Sequence, residues 1–165
     1  MHEGARAWIA EQAARLGPFE SVLEIGSRNV NGSVREFFEG AEYVGLDQLD
    51  GDGVDIVADA VLWATLRQYD AIVCCEVFEH EARWPELLER IGAWLGFGAV
   101  ALLTMATTGR APHSGIDGGQ VRPGEHYQNV ELPEFLEACT LHGLRAEWDI
   151  RNPGDLYAVV RRGAA

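Results

Sequence analysis

Short apolar runs and longer amphipathic segments follow one another along most of this chain. Buried strands are predicted from the short apolar runs at 22–25, 43–46, 55–58, 70–75 and 98–105. Helices are predicted where apolar residues recur at helical spacing, over 5–16, from 33 to about 40, around 62–66, over 84–95 and from 133 onward. Strands that alternate with helices in this way are typical of an α/β domain with a mostly parallel sheet.

The last part of the chain departs from this alternation. Two further strand patterns, 144–150 and 156–161, are separated only by the turn residues Asn152-Pro153-Gly154-Asp155. A connection this short can only reverse the chain, so the two strands are predicted to form an antiparallel hairpin. The expected sheet is therefore mostly parallel, with an antiparallel end.

The loop after the first strand is a candidate binding site. The strand pattern breaks at Gly26, and Ser33 and Glu36 have the spacing of a capping box at the start of the next helix. A strand, a glycine-containing loop and a capped helix direct free backbone N–H groups and a positive helix end at one point. Such a point suits a carboxylate or a phosphate group.

Two further features of this region concern its ligand. Asn29, Asn31 and Gly32 are predicted to give the loop its sharp conformations, because these residue types tolerate positive φ better than most. Asp47 ends the second strand about 20 residues after the loop, where an acid can accept hydrogen bonds from ribose hydroxyls. Together they indicate a nucleoside-binding half-fold.

Composition and charge narrow the class of protein. The length of 165 residues fits one domain, and the net charge of -13 argues against general binding to nucleic acid or to an anionic membrane. No apolar run approaches the length of a membrane span. The three cysteines fit neither a disulfide framework nor a zinc motif, so they are interpreted as reduced thiols of a cytoplasmic protein.

A long segment without clear periodicity, 106–131, interrupts the alternation and is predicted to cover the substrate. His126 lies in it, just before a helix that returns to the sheet, whereas His113 is interpreted as a surface loop residue. His80 follows the fourth strand at the sheet edge where α/β proteins bind ligands. Because histidine transfers protons at neutral pH, His80 and His126 are the candidate catalytic bases.

With these motifs in place, the chain resembles the class I S-adenosylmethionine-dependent methyltransferases, in particular the small single-domain members from bacteria and phages. The resemblance rests on Glu24-Ile25-Gly26 with its loop, Asp47, Ala58-Asp59-Ala60, Glu76 with Glu79-His80, the turn Gly96-Phe97-Gly98 and the final hairpin. One departure concerns the loop, where Arg28 and Val30 stand in place of the second and third glycines of the common motif.

The resemblance implies a Rossmann-like three-layer α/β sandwich whose seven strands have the order 3-2-1-4-5-7-6. It implies one methyltransferase domain over 1–165, with an N-terminal helix within 1–18 and a substrate lid at 106–131. The cofactor would be S-adenosylmethionine, with the ribose on Asp47 and the adenine amino group near Asp59, although an acid at Asp59 could equally begin a helix. The cofactor-binding residues that it implies are Glu24, Gly26, Ser27, Asn29, Asn31, Gly32, Asp47, Gln48, Asp59, Ala60 and Glu76.

The expected reaction is methyl transfer to an oxygen or nitrogen of a small molecule, with a protein or peptide as another acceptor. No cluster with the spacing of a catalytic metal site stands out, and neither Asn-Pro-Pro-Tyr nor Pro-Cys, which serve DNA-base methylation, is present. One alternative is a non-catalytic cofactor-binding module or a subunit of a methyltransferase complex. A nicotinamide-dependent oxidoreductase is disfavoured, because Arg28 and Asn31 occupy positions where its motif needs glycine.

Overall fold

The computed structural model describes residues 2–163. Its helices are α1 (Glu3–Leu16), α2 (Trp84–Trp94) and α3 (Leu132–Leu141), with two short 3-10 turns at Arg35–Phe38 and Phe78–His80. Its strands are β1 (Ser21–Ile25), β2 (Glu42–Asp47), β3 (Ile56–Val57), β4 (Tyr69–Cys75), β5 (Leu95–Ala106), β6 (Leu144–Arg151) and β7 (Asp155–Arg162). Within residues 2–163, no helix combines the length and the apolar character needed to cross a membrane.

All seven strands join one sheet in the order β3-β2-β1-β4-β5-β7-β6, as the resemblance implies. β1 to β5 pair in parallel, and β7 lies antiparallel to both β5 and β6. The register pairs Ile25 with Leu46 and with Cys74, and Ala106 with Asp155. The carboxyl ends of the parallel strands and the start of β7 therefore meet at one edge of the sheet.

Each face of the sheet is covered by a separate apolar layer. On one face, Leu88 and Ile91 of α2 and Phe135 of α3 belong to one buried cluster with Leu23 and Ile72 of the sheet. Successive strand residues alternate between the faces, so the neighbours of these two sheet residues point the other way. Each such side chain contributes about 1.5–3 kcal/mol when it is buried.

The opposite layer is formed by α1 and the first 3-10 turn. Trp8 and Ile9 of α1 and Phe38 of the turn form a second buried cluster with Val22 and Ala71 of the sheet. The predicted three-layer sandwich, the N-terminal helix and the terminal hairpin are all confirmed.

Three local predictions are wrong. The first is the capped helix after Ser33, which is only the four-residue turn Arg35–Phe38. The Ser33 hydroxyl accepts a hydrogen bond from the Arg35 N–H at 3.1 Å, and Glu36 pairs with Arg6 on α1 instead of closing a capping box. The turn is too short to have an appreciable helix dipole.

The second is the helix at 62–66, where the structure forms a single turn at 60–62 followed by irregular chain. Trp63 packs edge-on against Trp94 with ring centroids 5.3 Å apart, while Leu62 and Leu66 are 71% and 102% exposed. These apolar residues therefore share no face. The third is the turn Gly96-Phe97-Gly98 before the fifth strand, since these residues lie inside β5, where the pairing with β4 is irregular.

Candidate active site

A cleft of about 1080 Å³ opens at the edge of the sheet where the parallel strands end. It is lined by the loop after β1, the residues after β2, β3 and β4, and much of the segment 110–126. The structure brings together at this cleft all the predicted site residues except Asn29, namely Glu24, Gly26, Ser27, Asn31, Gly32, Asp47, Gln48, Asp59, Ala60, Glu76, His80 and His126.

The shape of the loop depends on its glycines. Gly26 has a φ of +77°, and a Cβ added to it would lie 2.4 Å from Cγ2 of Val77. Gly32 has a φ of +110° and also lies in the left-handed region. Among residues 2–163, the non-glycine residues with positive φ are Glu76 and Asn152, so the prediction of positive φ for Asn29 and Asn31 is wrong.

The asparagine side chain, and not its backbone, shapes the loop. The amide oxygen of Asn29 accepts a hydrogen bond from the Gly32 N–H at 3.0 Å, which closes the turn. Its amide nitrogen donates to Asp52 at 3.0 Å, away from the cleft. Asn29 therefore supports the loop from behind, which explains why it does not line the cleft.

The backbone N–H groups of the loop are mostly used within the protein. Those of Gly26 and Ser27 both donate to the Leu46 carbonyl, at 2.9 and 3.2 Å, and that of Arg28 donates to the Asp47 carboxylate at 3.1 Å. The predicted site of free N–H groups at a helix end is therefore wrong. The loop presents a tight glycine-dependent surface and side chains, of which the buried Ser27 hydroxyl has no hydrogen-bond partner among the described residues.

Asp47 stands where β2 ends, beside this loop. Its Oδ2 accepts from the Arg28 N–H at 3.1 Å and its Oδ1 from the Leu49 N–H at 2.9 Å, which fixes the carboxylate at the cleft wall. Each carboxylate oxygen can accept more than one hydrogen bond, so the group remains able to bind hydroxyl donors. Gln48 follows on the exposed side.

Asp59 is more fully engaged in the structure. Its Oδ2 accepts from Arg83 at 2.6 Å, and its Oδ1 accepts from the Val61 N–H at 2.9 Å. Burial opposes ionisation, but the hydrogen bonds from Arg83 and from the backbone of the turn outweigh it and lower the pKa of Asp59. Asp59 thus begins the turn at 60–62, while it and the buried Ala60 still line the cleft.

Glu24 lies under the loop, on β1. It is 6% exposed, and its carboxylate accepts a hydrogen bond from the Tyr43 hydroxyl at 2.8 Å. Burial raises the pKa of Glu24 to about 7, because the charged form loses its hydration there.

A second group of polar residues borders the cleft near β4, β5 and β7. Glu76 follows β4 with a φ of +56° and accepts a hydrogen bond from the Thr104 hydroxyl at 3.0 Å. His2, at the start of α1, has its Nε2 3.7 Å from Glu76 and 3.4 Å from Asp155. Arg110 pairs with Asp155 and lies 3.9 Å from Glu76.

Sequence reasoning found Glu76 but missed His2, Arg110 and Asp155. The hairpin register could have indicated Asp155, since it begins the strand beside β5 at the ligand-binding edge. Nothing in the spacing indicates His2 or Arg110, because the chain before α1 and the irregular segment after β5 have no periodicity.

Two histidines and a tyrosine pack together on the same side. The ring centroids of His80, His113 and Tyr127 are 5.0 to 5.4 Å apart, with steep interplanar angles. His113 is half-buried in this contact, so its interpretation as a surface loop residue is wrong. Burial, together with the charge of a protonated His113, lowers the pKa of His80 to about 4. His80 is thus neutral at pH 7, while the half-buried His126 lines the cleft nearby.

Residues 107–131 form an irregular segment in the described chain until α3 begins. Three backbone hydrogen bonds hold its ends, from Thr107 to Gly154 at 2.8 Å, from Gln128 to Glu79 at 2.8 Å and from Val130 to Ala106 at 2.9 Å. In its middle, the Arg28 guanidinium donates to the carbonyl of Ile116 at 3.4 Å. The segment therefore bridges the side of the cleft formed by the loop after β1 and the side that carries the histidines.

This sheet order, with a cleft at the ends of the parallel strands and an acid at the end of β2, defines the fold of the class I S-adenosylmethionine-dependent methyltransferases. The chain belongs to the family described as "Methyltransferase domain", which matches residues 1–147. That match extends into β6. No functionally curated protein matches the sequence significantly.

Several solved structures share the fold. DhpI in its complex with SAH is 23% identical, with a TM-score of 0.72 over 98% of this chain and 86% of that chain. A 1,6-didemethyltoxoflavin-N1-methyltransferase from Burkholderia thailandensis, with bound 1,6-didemethyltoxoflavin and S-adenosylhomocysteine, is 14% identical, with a TM-score of 0.71 over 98% and 78%. An S-adenosylmethionine-dependent methyltransferase from Clostridium acetobutylicum is 11% identical, with a TM-score of 0.74 over 99% and 93%.

Proposed function

We propose that this protein binds S-adenosylmethionine in the cleft and transfers its methyl group to an oxygen or nitrogen of a small molecule. The observation that carries the proposal is the cleft itself, because one continuous space joins the Gly26 loop and Asp47 to His80 and His126. Structural neighbours crystallised with S-adenosylhomocysteine support the choice of cofactor.

The residues present fit this cofactor. Asp47 offers a fixed carboxylate for the ribose hydroxyls, and the unpartnered Ser27 hydroxyl and the glycine-shaped loop border the same wall. The Asp59 carboxylate is already engaged by Arg83. We therefore assign Asp59 and Ala60 to the wall beside the adenine, without a strong hydrogen bond from Asp59 to the adenine amino group. Glu24 supports the loop from below through its bond with Tyr43.

When bound, S-adenosylmethionine supplies a methyl carbon that is attacked in line by the acceptor's lone pair, while the sulfur keeps the electrons of the broken bond. The protein's contribution is to hold the acceptor in line and to receive its proton. His80 is neutral at pH 7, but its lowered pKa makes it a weak base that is better suited to direct a proton than to hold one, while His126 lies on the same side of the cleft. We assign to these two residues the role of accepting the acceptor's proton or of directing it away from the acceptor.

The acceptor lies, in this proposal, between the end of β4 and the segment 106–131, which serves as the substrate lid. His2, Glu76 and Arg110 line the cleft, with the buried Asp155 behind them, and favour an acceptor with polar or charged groups. Among the neighbours are the 1,6-didemethyltoxoflavin-N1-methyltransferase and a glycopeptide N-methyltransferase, so a peptide acceptor is retained as the second choice.

A turnover assay tests the proposal. The protein is incubated with S-adenosylmethionine and a panel of small hydroxyl and amino compounds, and S-adenosylhomocysteine is measured by mass spectrometry. We expect one chemical class to release it, and we expect His126→Ala to slow that release. His142→Ala, a change at the end of α3 remote from the cleft, is the matched control. Binding of S-adenosylhomocysteine without turnover on any small molecule or peptide would instead indicate a non-catalytic binding module.

A further inference from the structure

Glu79 is a fully buried acidic residue in the second 3-10 turn. It is 0% exposed, and neither of its carboxylate oxygens has a hydrogen-bond partner within residues 2–163. A buried carboxylate with no partner is costly, so such a group usually has a ligand to satisfy it.

Two imidazoles face this carboxylate. One ligand atom from each of Glu79, His80 and His113 lies within 4.8 Å of the other two. The buried Nδ1 of His80 also has no hydrogen-bond partner among the described residues. Donor atoms bound to one tetrahedral cation lie about 3.4 Å apart, so side-chain rotations that move them by about 1 Å complete the geometry.

The tautomer that the surroundings of His113 favour suits a ligand role. Its Nδ1 lies 3.2 Å from the carbonyl oxygen of Ala111, and a carbonyl can only accept, so this contact favours the tautomer with the proton on Nδ1. Nε2 then keeps its lone pair for a cation. A ligating histidine whose other nitrogen donates to a backbone carbonyl is the usual arrangement in metal sites.

We propose that Glu79, His80 and His113 bind a divalent first-row transition cation beside the cleft. Two imidazole nitrogens and one carboxylate oxygen suit Zn²⁺, Mn²⁺, Fe²⁺ or Co²⁺, whereas Mg²⁺ prefers oxygen ligands throughout. Three protein ligands leave coordination positions open, as in catalytic and not in structural sites. Because His80 and His113 line the cleft, the open positions face the space that we assign to the acceptor.

The surrounding structure holds the three residues in place. Glu79 and His80 lie in the second 3-10 turn, where the His80 N–H donates to the Val77 carbonyl at 2.9 Å. The Glu79 carbonyl accepts from Gln128 at 2.8 Å, which ties this turn to the segment that carries His113. Binding of the cation does not depend on methyl transfer. A role for the cation in holding the acceptor rests on the proposed function. A bound cation makes His80 a ligand and leaves proton acceptance to His126.

Titration of the full, tag-free and chelator-treated protein with Co²⁺ and Zn²⁺ tests the site without cofactor or acceptor. We expect one equivalent of Co²⁺ to bind with a visible absorption band, and Zn²⁺ to displace it. Glu79→Gln and His113→Ala should each weaken binding at least about 10-fold. His142→Ala, at the end of α3, should bind as the wild type does.

Stability separates loss of the site from loss of the fold. Glu79→Gln removes an unpartnered buried acid, so its metal-free form should melt at or above the wild-type temperature, but Zn²⁺ should no longer raise that temperature. The proposal is wrong if the wild type binds neither ion, if both variants retain wild-type affinity, or if Mg²⁺ binds in preference to Zn²⁺. None of these results depends on whether the protein methylates anything.

Discussion

Gly26 and Val77 lie so close that a Cβ on Gly26 would be 2.4 Å from Cγ2 of Val77. This contact joins the loop after β1, which we assign to the cofactor, to the chain after β4, which carries Glu79 and His80. The two halves of the cleft are therefore in direct packing contact across adjacent strands.

Gly26→Ala should weaken cofactor binding because Val77 or the loop must move. The variant also places a side chain at a φ of +77°, which costs about 1–2 kcal/mol of stability. Gly40→Ala is the matched control, since its φ is +87° but nothing lies within 4 Å of the added Cβ. We expect equal strain in both, measured by chemical denaturation, with a further loss and weaker S-adenosylhomocysteine binding only in Gly26→Ala. Equal behaviour of the two variants would mean that the contact with Val77 is unimportant.

Gly32→Val should reduce cofactor affinity more than it reduces stability. Gly32 has a φ of +110° on the cleft wall, and the nearest atom to an added Cβ is 3.9 Å away, so strain and not a clash is introduced. The strained loop should shift, and the hydrogen bond from the N–H of residue 32 to the Asn29 amide oxygen should be lost. Gly143→Val, at a positive φ away from the cleft, controls for strain alone. A Gly32→Val protein with wild-type melting temperature and wild-type affinity would count against the loop assignment.

Glu24→Gln should stabilise the cofactor-free protein at alkaline pH. Folding raises the pKa of Glu24 from 4.5 to about 7, so the folded state holds its proton more tightly than the unfolded state. The stability that this proton contributes is complete below the unfolded pKa and is lost as pH rises through about 7. We compare the free energy of unfolding of Glu24→Gln with that of the wild type at pH 5 and at pH 8. The difference should be more favourable to the variant at pH 8 by about 1–3 kcal/mol. The exposed Glu20→Gln is the control, and a pH-independent difference would contradict the burial argument.

His126→Ala should lower the methylation rate by about 10²–10⁴-fold if this residue takes the acceptor's proton. Affinity for S-adenosylmethionine should change little, and the defect should shrink at high pH, where the acceptor loses its proton unaided. His80→Ala should give the same pattern if His80 is the base, and a loss that high pH does not rescue if it is a metal ligand. Wild-type rates across pH in both variants would show that positioning alone accounts for the rate.

The architecture could be predicted because it depends on local patterns. The runs that became β1, β2 and β4 are mostly apolar, and the hairpin turn at 152–155 permits only chain reversal. The short turn that replaces the helix expected after Ser33 could not be predicted. The capping spacing does not show that Glu36 pairs with Arg6 on a distant helix. The helix predicted at 62–66 was wrong for a similar reason, since only tertiary packing directs Trp63 inward and its neighbours outward.

The site was predictable where residues adjoin strand ends, and not elsewhere. Asp47 ends β2 and Glu76 directly follows β4, so topology alone brings them to one edge. His113 approaches His80 through an irregular segment whose course depends on hydrogen bonds such as that of Gln128 with Glu79. No pattern in the sequence therefore indicates that Glu79, His80 and His113 lie together, as the proposed metal site requires.

Calorimetric titration of Asp47→Ala with S-adenosylhomocysteine, beside the wild type and Asp50→Ala, tests the central claim most directly. Asp47 lines the cleft, whereas the exposed Asp50 lies three residues further along the chain. We predict binding by the wild type and by Asp50→Ala, and a loss of about 1.5–3 kcal/mol in Asp47→Ala, the worth of hydrogen bonds to a charged acceptor. Unchanged affinity in a folded Asp47→Ala protein, or no binding by the wild type, would contradict a cofactor site at this cleft.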